Sequence, residues 1–204
     1  MTSLEERQEA RRRRMLDEGI ALLGGLDAST LGVRSVCRST GITERYFYEA
    51  FGTRDGFAHA VYDDIAERAQ QALTTTFRHV RDAAYEHGEP VTATTMGLEG
   101  VTSYVRFVAD QPEVGRALLL GPYREPALAD RGLLHRPGFI SVVGSTLPRD
   151  LDPTSRRLVA TGLVGALITL STEYVTGRLD VTRDELVTYC VRLIESAVRD
   201  PVTV

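Results

Sequence analysis

The chain has 204 residues, 43% hydrophobic and 25% charged, with a formal net charge of −4, the make-up of an ordinary globular chain of one generous domain or two small ones. Its two cysteines, Cys37 and Cys190, exclude a disulfide framework and a cysteine zinc site and fit a reducing, cytoplasmic setting. All 24 basic residues are arginine, which excludes a Schiff-base lysine and the lysine of a phosphate loop.

The start, "MTSLEERQEARRRRM", is charged and lacks the apolar run of a signal peptide. Ser3 and Glu6 form a capping-box pattern opening a first helix, along which Leu16, Ile20 and Leu23 recur at helical spacing until Gly24-Gly25 stops it. The pattern predicts a short helix from about Val33 to Ser39, a break at Gly41, and another helix from near Thr43 to Phe51. Thr53 is placed to cap a long helix from Arg54 to about Tyr85. Helices are expected at 92–109 and 112–120, and the stretch 121–150, with its prolines and glycines, gives no clear pattern. Asp152-Pro153 is a strong start signal for a helix reaching about Thr176, and Thr182-x-x-Glu185 opens a last one that ends before Asp200-Pro201. No strand-like alternation persists and no repeat appears, so the predicted class is all-α.

Charge is unevenly spread. Residues 7–54 hold nine arginines against six acids, a local +3, and from Asp55 onward the chain carries −5. A basic N-terminal module thus precedes an acidic body, although a solvated helix can also carry "RRRR". Within that module two short helices flank a Gly-containing turn, the spacing of a helix-turn-helix. Cys37 can supply the small residue where the helices cross, Val36, Ile42 and Phe47 would plug the joint, and Phe51 would pin the exit. Thr43, Glu44, Arg45 and Tyr46 then point outward from the first turn of the second helix, where a major-groove reader presents its side chains to base edges. Arg45 suits bidentate bonding to guanine, worth about 1–3 kcal/mol of discrimination; Glu44 suits cytosine N4, and Tyr46 a thymine methyl or a phosphate. An ordinary helical hairpin with a solvated polar turn shares these spacings.

The stretches "MLDEGIALL", "VRSVCRSTGITERYFYEAF" and "TRDGFAHAVYDDI", spanning Met15 to Ile65, resemble the N-terminal domain of the tetracycline-repressor (TetR) family of bacterial transcription regulators. The resemblance implies a three-helix DNA-binding domain at 1–53 and a helical regulatory, ligand-binding and dimerisation domain at 54–204. It implies that the third helix reads the major groove, that Tyr48 grips backbone, that Arg54 meets phosphate, and that Arg34 reaches a base or phosphate. It also implies a homodimeric repressor on a palindromic double-stranded operator, released by a small-molecule effector lodged in the C-terminal body. This chain departs from the pattern in three ways: Leu31-Gly32 open the second helix after Ser29-Thr30, bulky Arg45 and Tyr46 stand where small residues are usual, and Thr40 is a polar joint residue.

In the acidic body, Leu158 to Leu170 is apolar nearly all round but only 13 residues long, short of the roughly 20 that span a bilayer, so no membrane is expected. A helix apolar on every face must be buried on every face. Gly162 and Gly165 would let another helix approach, and Val187, Val191 and Ile194 of the last helix form a stripe beside that of Leu186, Tyr189, Leu193 and Ala197. A four-helix dimer interface would bury these surfaces, and so would a larger single-chain core. Rings and polar groups that could line an effector pocket are Tyr104, Phe107, Leu118, Tyr123, His135, Thr169 and Glu173. Phe107 and Leu118 suit an apolar effector and Glu173 a cation, and each would serve equally in a core or on a surface.

No enzyme is expected. His59, His79, His87 and His135 are scattered without a metal-binding pair, and neither a nucleophile elbow nor a phosphate loop occurs. No catalytic residue, metal or cofactor is therefore assigned. The competing reading is an all-helical ligand-binding or interaction protein whose helix-turn-helix no longer binds DNA; salt-sensitive duplex affinity, lost on charge reversal of Arg45 and Arg54, separates the two.

Overall fold

A computed structural model describes residues 4–26, 31–148 and 150–199. Ser3 of the first capping box, the Ser29-Thr30 pair and the Asp200-Pro201 stop lie outside the described residues. Among those described there are nine α-helices and no strand: α1 Leu4–Gly24, α2 Val33–Thr40, α3 Glu44–Phe51, α4 Arg54–His87, α5 Ala93–Ala109, α6 Pro112–Arg124, α7 Arg131–Gly144, α8 Pro153–Val175 and α9 Arg183–Arg199. The pattern-poor stretch 121–150 holds the end of α6, a 3₁₀ turn at Pro126–Leu128 and all of α7. Its prolines give no helical signal because Pro122 and Pro137 sit inside helices, where ring sterics and the missing N–H would by themselves predict a break.

The chain divides into two compact units, Met1–Glu67 with Gln111–Leu134, and Arg68–Asp110 with His135–Val204. The expected boundary at 53/54 ends the helix-turn-helix but falls inside the first unit. The reason is packing: Phe57, Val61 and Ile65 on the first turns of α4, and Ala117, Leu118 and Leu119 of α6, are buried with Met15, Leu16, Ile20 and Leu23 of α1. Gly24 does more than end α1. A Cβ there would overlap the backbone carbonyl of Glu113 at the start of α6, so glycine is what lets α1 and α6 approach. Arg116 Nε then donates to the Gly24 carbonyl at 2.5 Å and Arg124 to that of Gly25 at 2.9 Å, satisfying the C-terminal carbonyls a helix leaves open.

In the second unit α5, α8 and α9 pack together. Val101 and Val105 meet Leu186 and Cys190 in one cluster, and Ala160, Leu163 and Leu147 form another. Phe77 of α4 lies under Gly100 of α5, and Thr76 Oγ1 donates to Ser103 Oγ at 2.9 Å. The caps read from the sequence are made: Asp152 accepts from the Thr154 and Ser155 amides at 2.9 and 3.1 Å. Thr182 and Glu185 form a reciprocal capping box at 2.8 and 3.3 Å. Burial pushes the Cys190 thiol up to about 11. The α8 helix is longer than the 13-residue apolar run, with 23 residues and a mean hydropathy of 1.5 over its best 18. By length and composition alone it is long and apolar enough to cross a membrane, a test that the core helix of a soluble protein also passes.

Candidate nucleic-acid interface

The α2–α3 joint is built as the spacing predicts. Gly41 follows α2 with φ 67° and ψ 19°, the left-handed region, and donates its N–H to the Cys37 carbonyl. A residue with a Cβ would be strained there by about 1–2 kcal/mol. Val36 and Phe47 are fully buried, with Ile42, Cys37 and Thr40 nearly so. Thr40, the polar joint residue, is satisfied locally: its hydroxyl donates to the Val36 carbonyl at 2.6 Å, and its own carbonyl accepts from Arg14 at 2.8 Å. Leu31 is buried where the family resemblance implies a hydroxyl residue, and Gly32 caps α2 without a side-chain bond. That end of α2 thus exchanges a cap for core volume.

The exit from α3 is held by rings. Phe47 and Phe51 lie 5.0 and 4.9 Å from Phe57 of α4, and 5.4 Å from each other, in tilted and edge-on arrangements that favour aromatic pairs. These contacts seat α3 on α4 and leave its other face outward.

On that outward face Thr43, Glu44, Arg45 and Tyr46 are all exposed. Thr43 is the N-cap residue but its hydroxyl makes no capping bond. Arg45 keeps 85% of its side chain in solvent and bonds Glu49 one turn on at 2.8 Å; that hydrogen bond raises its pKa above the ordinary value. Arg34 of α2 is exposed and stands 3.7 Å from Glu44. Tyr48 is exposed, its ring edge-on to Phe47 at 5.5 Å. These are surface pairs that solvent screens and a phosphate or base can displace.

Arg54 is placed differently. Both of its terminal nitrogens bond Glu125, at 2.9 and 2.5 Å, and one reaches Asp55 at 3.1 Å. Glu125 also receives the Ala127 amide at 3.3 Å, and its hydrogen bond to Arg54 is the main cause of that guanidinium's raised pKa. The phosphate contact implied for Arg54 would have to come from a guanidinium already neutralised by a buried carboxylate. Glu125 leaves no signal in the sequence because the pairing joins residues 71 apart, across the pattern-poor stretch.

Two further interactions lie equally beyond a reading of the sequence. Arg11 of α1 lies over the Tyr46 ring, 4.4 Å from its centroid, and Arg12 over Phe51 at 5.7 Å. Arg13 is held by Asp64 and Asp17, the Asp64 Oδ2 contact being 2.9 Å, and Arg131 stands 3.6 Å from Asp63. A cleft of about 370 Å³ beside these pairs is lined by Arg12, His59, Asp63, Asp64, Glu67 and Arg131 with Gly56 and Ala60. Among the described residues no group of three or more His, Cys, Asp or Glu side chains is arranged to hold a metal ion.

Solved structures share this arrangement of helices. A TetR-family transcriptional regulator from Rhodococcus sp. superposes with a TM-score of 0.71 at 16% identity, covering 93% of this chain and 99% of that one. The chain has the fold of the TetR-family regulators. The fatty acid degradation regulator FadR from Bacillus halodurans gives a TM-score of 0.67 at 13% identity, with 90% and 94% of the two chains covered. A TetR-family regulator from Streptomyces coelicolor gives 0.65 at 17% identity, over 94% and 84%. No family profile and no curated protein sequence matches the chain.

Within that TetR fold the seven effector candidates are divided between the units. Leu118 and Tyr123 lie in the first; Tyr104, Phe107, His135, Thr169 and Glu173 lie in the second. Leu118 and Tyr104 are buried, whereas Tyr123 is 84% exposed. Thr169 is exposed and bonds the Gly165 carbonyl at 3.0 Å, and the His135 carbonyl accepts from Gln70 at 3.3 Å. Glu173 is engaged by Arg178 at 2.8 and 2.9 Å, which holds its carboxyl below the usual range, so it offers no unpaired anion to a cation. The dimer candidates separate similarly. Gly162 and Gly165 face open space. Val187, Val191 and Ile194 are half-buried against the Val101–Val105–Leu186–Cys190 cluster, and Ile194 also packs on Gly97 of α5. That stripe serves the core of its own chain first.

Proposed function

We propose that the chain is a homodimeric, cytoplasmic transcriptional regulator that binds a palindromic double-stranded operator through α2 and α3 and is released from it by a small-molecule effector. The observation that carries the DNA reading is the exposed first turn of α3, Thr43 to Tyr46, presented by a left-handed glycine turn and braced by three phenylalanines. A helix so mounted is a rigid reader, which is what major-groove recognition needs. The TetR fold supports the regulatory half of the reading, as do neighbours described as a fatty acid degradation regulator and a multidrug binding protein complexed with imidazole.

The homodimer is supported by α8. Only 28% of its most apolar window is buried within the chain, Leu158 is 54% exposed, and Gly162 and Gly165 lie open one turn apart. A second copy covering that face would remove the apolar surface from water and use the glycines for close approach. Two reading helices related by a two-fold axis then meet half-sites about 34–36 Å apart.

The test is selection from sheared genomic DNA at moderate salt, followed by sequencing of the bound fragments. Enrichment of fragments sharing a palindrome with that spacing supports the function, and the neighbouring genes name candidate effectors. Uniform, salt-labile recovery of all fragments refutes sequence-specific recognition.

A further inference from the structure

The five arginines at the start of the chain are not one undifferentiated basic run. Arg14 is tied to the last carbonyl of α2, Arg13 to Asp17 and Asp64, and Arg12 lies over Phe51. Arg11 instead covers Tyr46, a residue of the exposed reading face, at 4.4 Å, and Arg7 is exposed one turn earlier. At about 100° per residue, Arg7, Arg11 and Arg14 fall within about 60° of one another on α1, with Glu5 and Glu9 on the opposite side. Arg14 rests on α2 and Arg11 on α3 of the helix-turn-helix. The same stripe, continued one turn toward the N-terminus, therefore carries Arg7 past the Tyr46 side of α3 by about 6 Å.

Resting on the DNA-binding function proposed above, we propose that Arg7 and Arg11 of α1 are backbone-phosphate contacts that extend the reading surface beyond α2 and α3. Arg11 has a second task, because its guanidinium plane stacks on Tyr46 and so limits where the phenol points. The contacts are electrostatic and independent of base sequence, as phosphate contacts are. The acidic face of the same helix, Glu5 and Glu9, is turned away from the phosphates.

The test uses the full-length protein and a duplex recovered from the genomic selection, with affinity measured across a salt series. Arg7→Ala and Arg11→Ala should each lower the slope of log affinity against log salt by about 0.9, equivalent to about a 3.5-fold smaller loss of affinity between about 50 and 200 mM salt. Glu5→Gln, a charge change of similar size on the far face, should leave the slope unchanged. Thermal melts matching the wild type show that the variants are folded, as expected for side chains outside the core. Wild-type slopes in both arginine variants, or an equal and opposite slope change in Glu5→Gln, overturn the proposal while leaving the regulator reading intact. Failure of the wild-type protein to prefer any duplex overturns both.

Discussion

Arg54→Ala would show what that residue is for. Glu125 keeps only 4% of its side chain exposed and Arg54 35%, so deleting the arginine leaves a buried carboxylate facing the Ala127 amide at 3.3 Å without its counter-charge. Orphaning a buried charge costs about 3–5 kcal/mol. Water can enter on the side Arg54 vacates, which favours the lower end, about 3 kcal/mol. For a chain of this size that corresponds to a fall of about 6–12 °C in melting temperature. Replacing the pair together, Arg54→Met with Glu125→Leu, removes both charges and should restore stability to within about 1 kcal/mol of wild type. The assay is urea unfolding followed by circular dichroism, since the chain has no tryptophan. A loss under about 1 kcal/mol for Arg54→Ala, with no recovery in the double variant, would refute the clamp. Arg54 would then be free to meet phosphate in the way the family resemblance implies.

Gly24→Ala should destabilise the first unit by about 2–3 kcal/mol through overpacking against the Glu113 carbonyl, measured in the same urea assay; a neutral result would mean α1 and α6 do not cross so closely. Gly162→Ala and Gly165→Ala meet open space within the chain, so each should add about 0.5–1 kcal/mol to the isolated helix yet weaken self-association in sedimentation equilibrium. Unchanged association would place the dimer interface elsewhere. The Thr182 hydrogen bonds hold the Glu185 carboxyl below its ordinary value. Its contribution is therefore present above the unfolded value of about 4.3 and lost as pH falls through the lower folded value. Glu185→Gln should accordingly destabilise the protein at neutral pH and converge on wild type in acid; a constant difference across pH would refute the sign.

Much of the helix-turn-helix is local chemistry and so is legible in the sequence. Gly41 is required by a left-handed turn, the Val36, Ile42 and Phe47 spacing marks an inward face, and Thr43 to Tyr46 follow as the outward one. Helix starts at Asp152 and Thr182 are side-chain-to-backbone bonds spanning three residues or fewer, visible in any pattern that contains them. The stretch 121–150 hides α7 because Pro137 lies within it, and the contacts that hold this helix, half-buried Ile140 and Val143 against Leu147, Ala160 and Leu163, come from outside any local pattern.

What tertiary structure alone decided is which of several chemically able residues is engaged. Among α1's arginines the sequence determined a net positive charge, but packing decided that Arg13 meets Asp64, Arg14 the Thr40 carbonyl, Arg12 the Phe51 ring and Arg11 the Tyr46 ring. Arg54 carries the residue type of a phosphate contact, and a glutamate 71 positions later decided that it holds a buried carboxylate. Glu173 is a candidate anion by residue type, and Arg178 takes that role from it. Residue type and spacing set what a side chain can do; the neighbours brought by distant parts of the chain set the free energy of each alternative, and those neighbours exist only once the helices have packed.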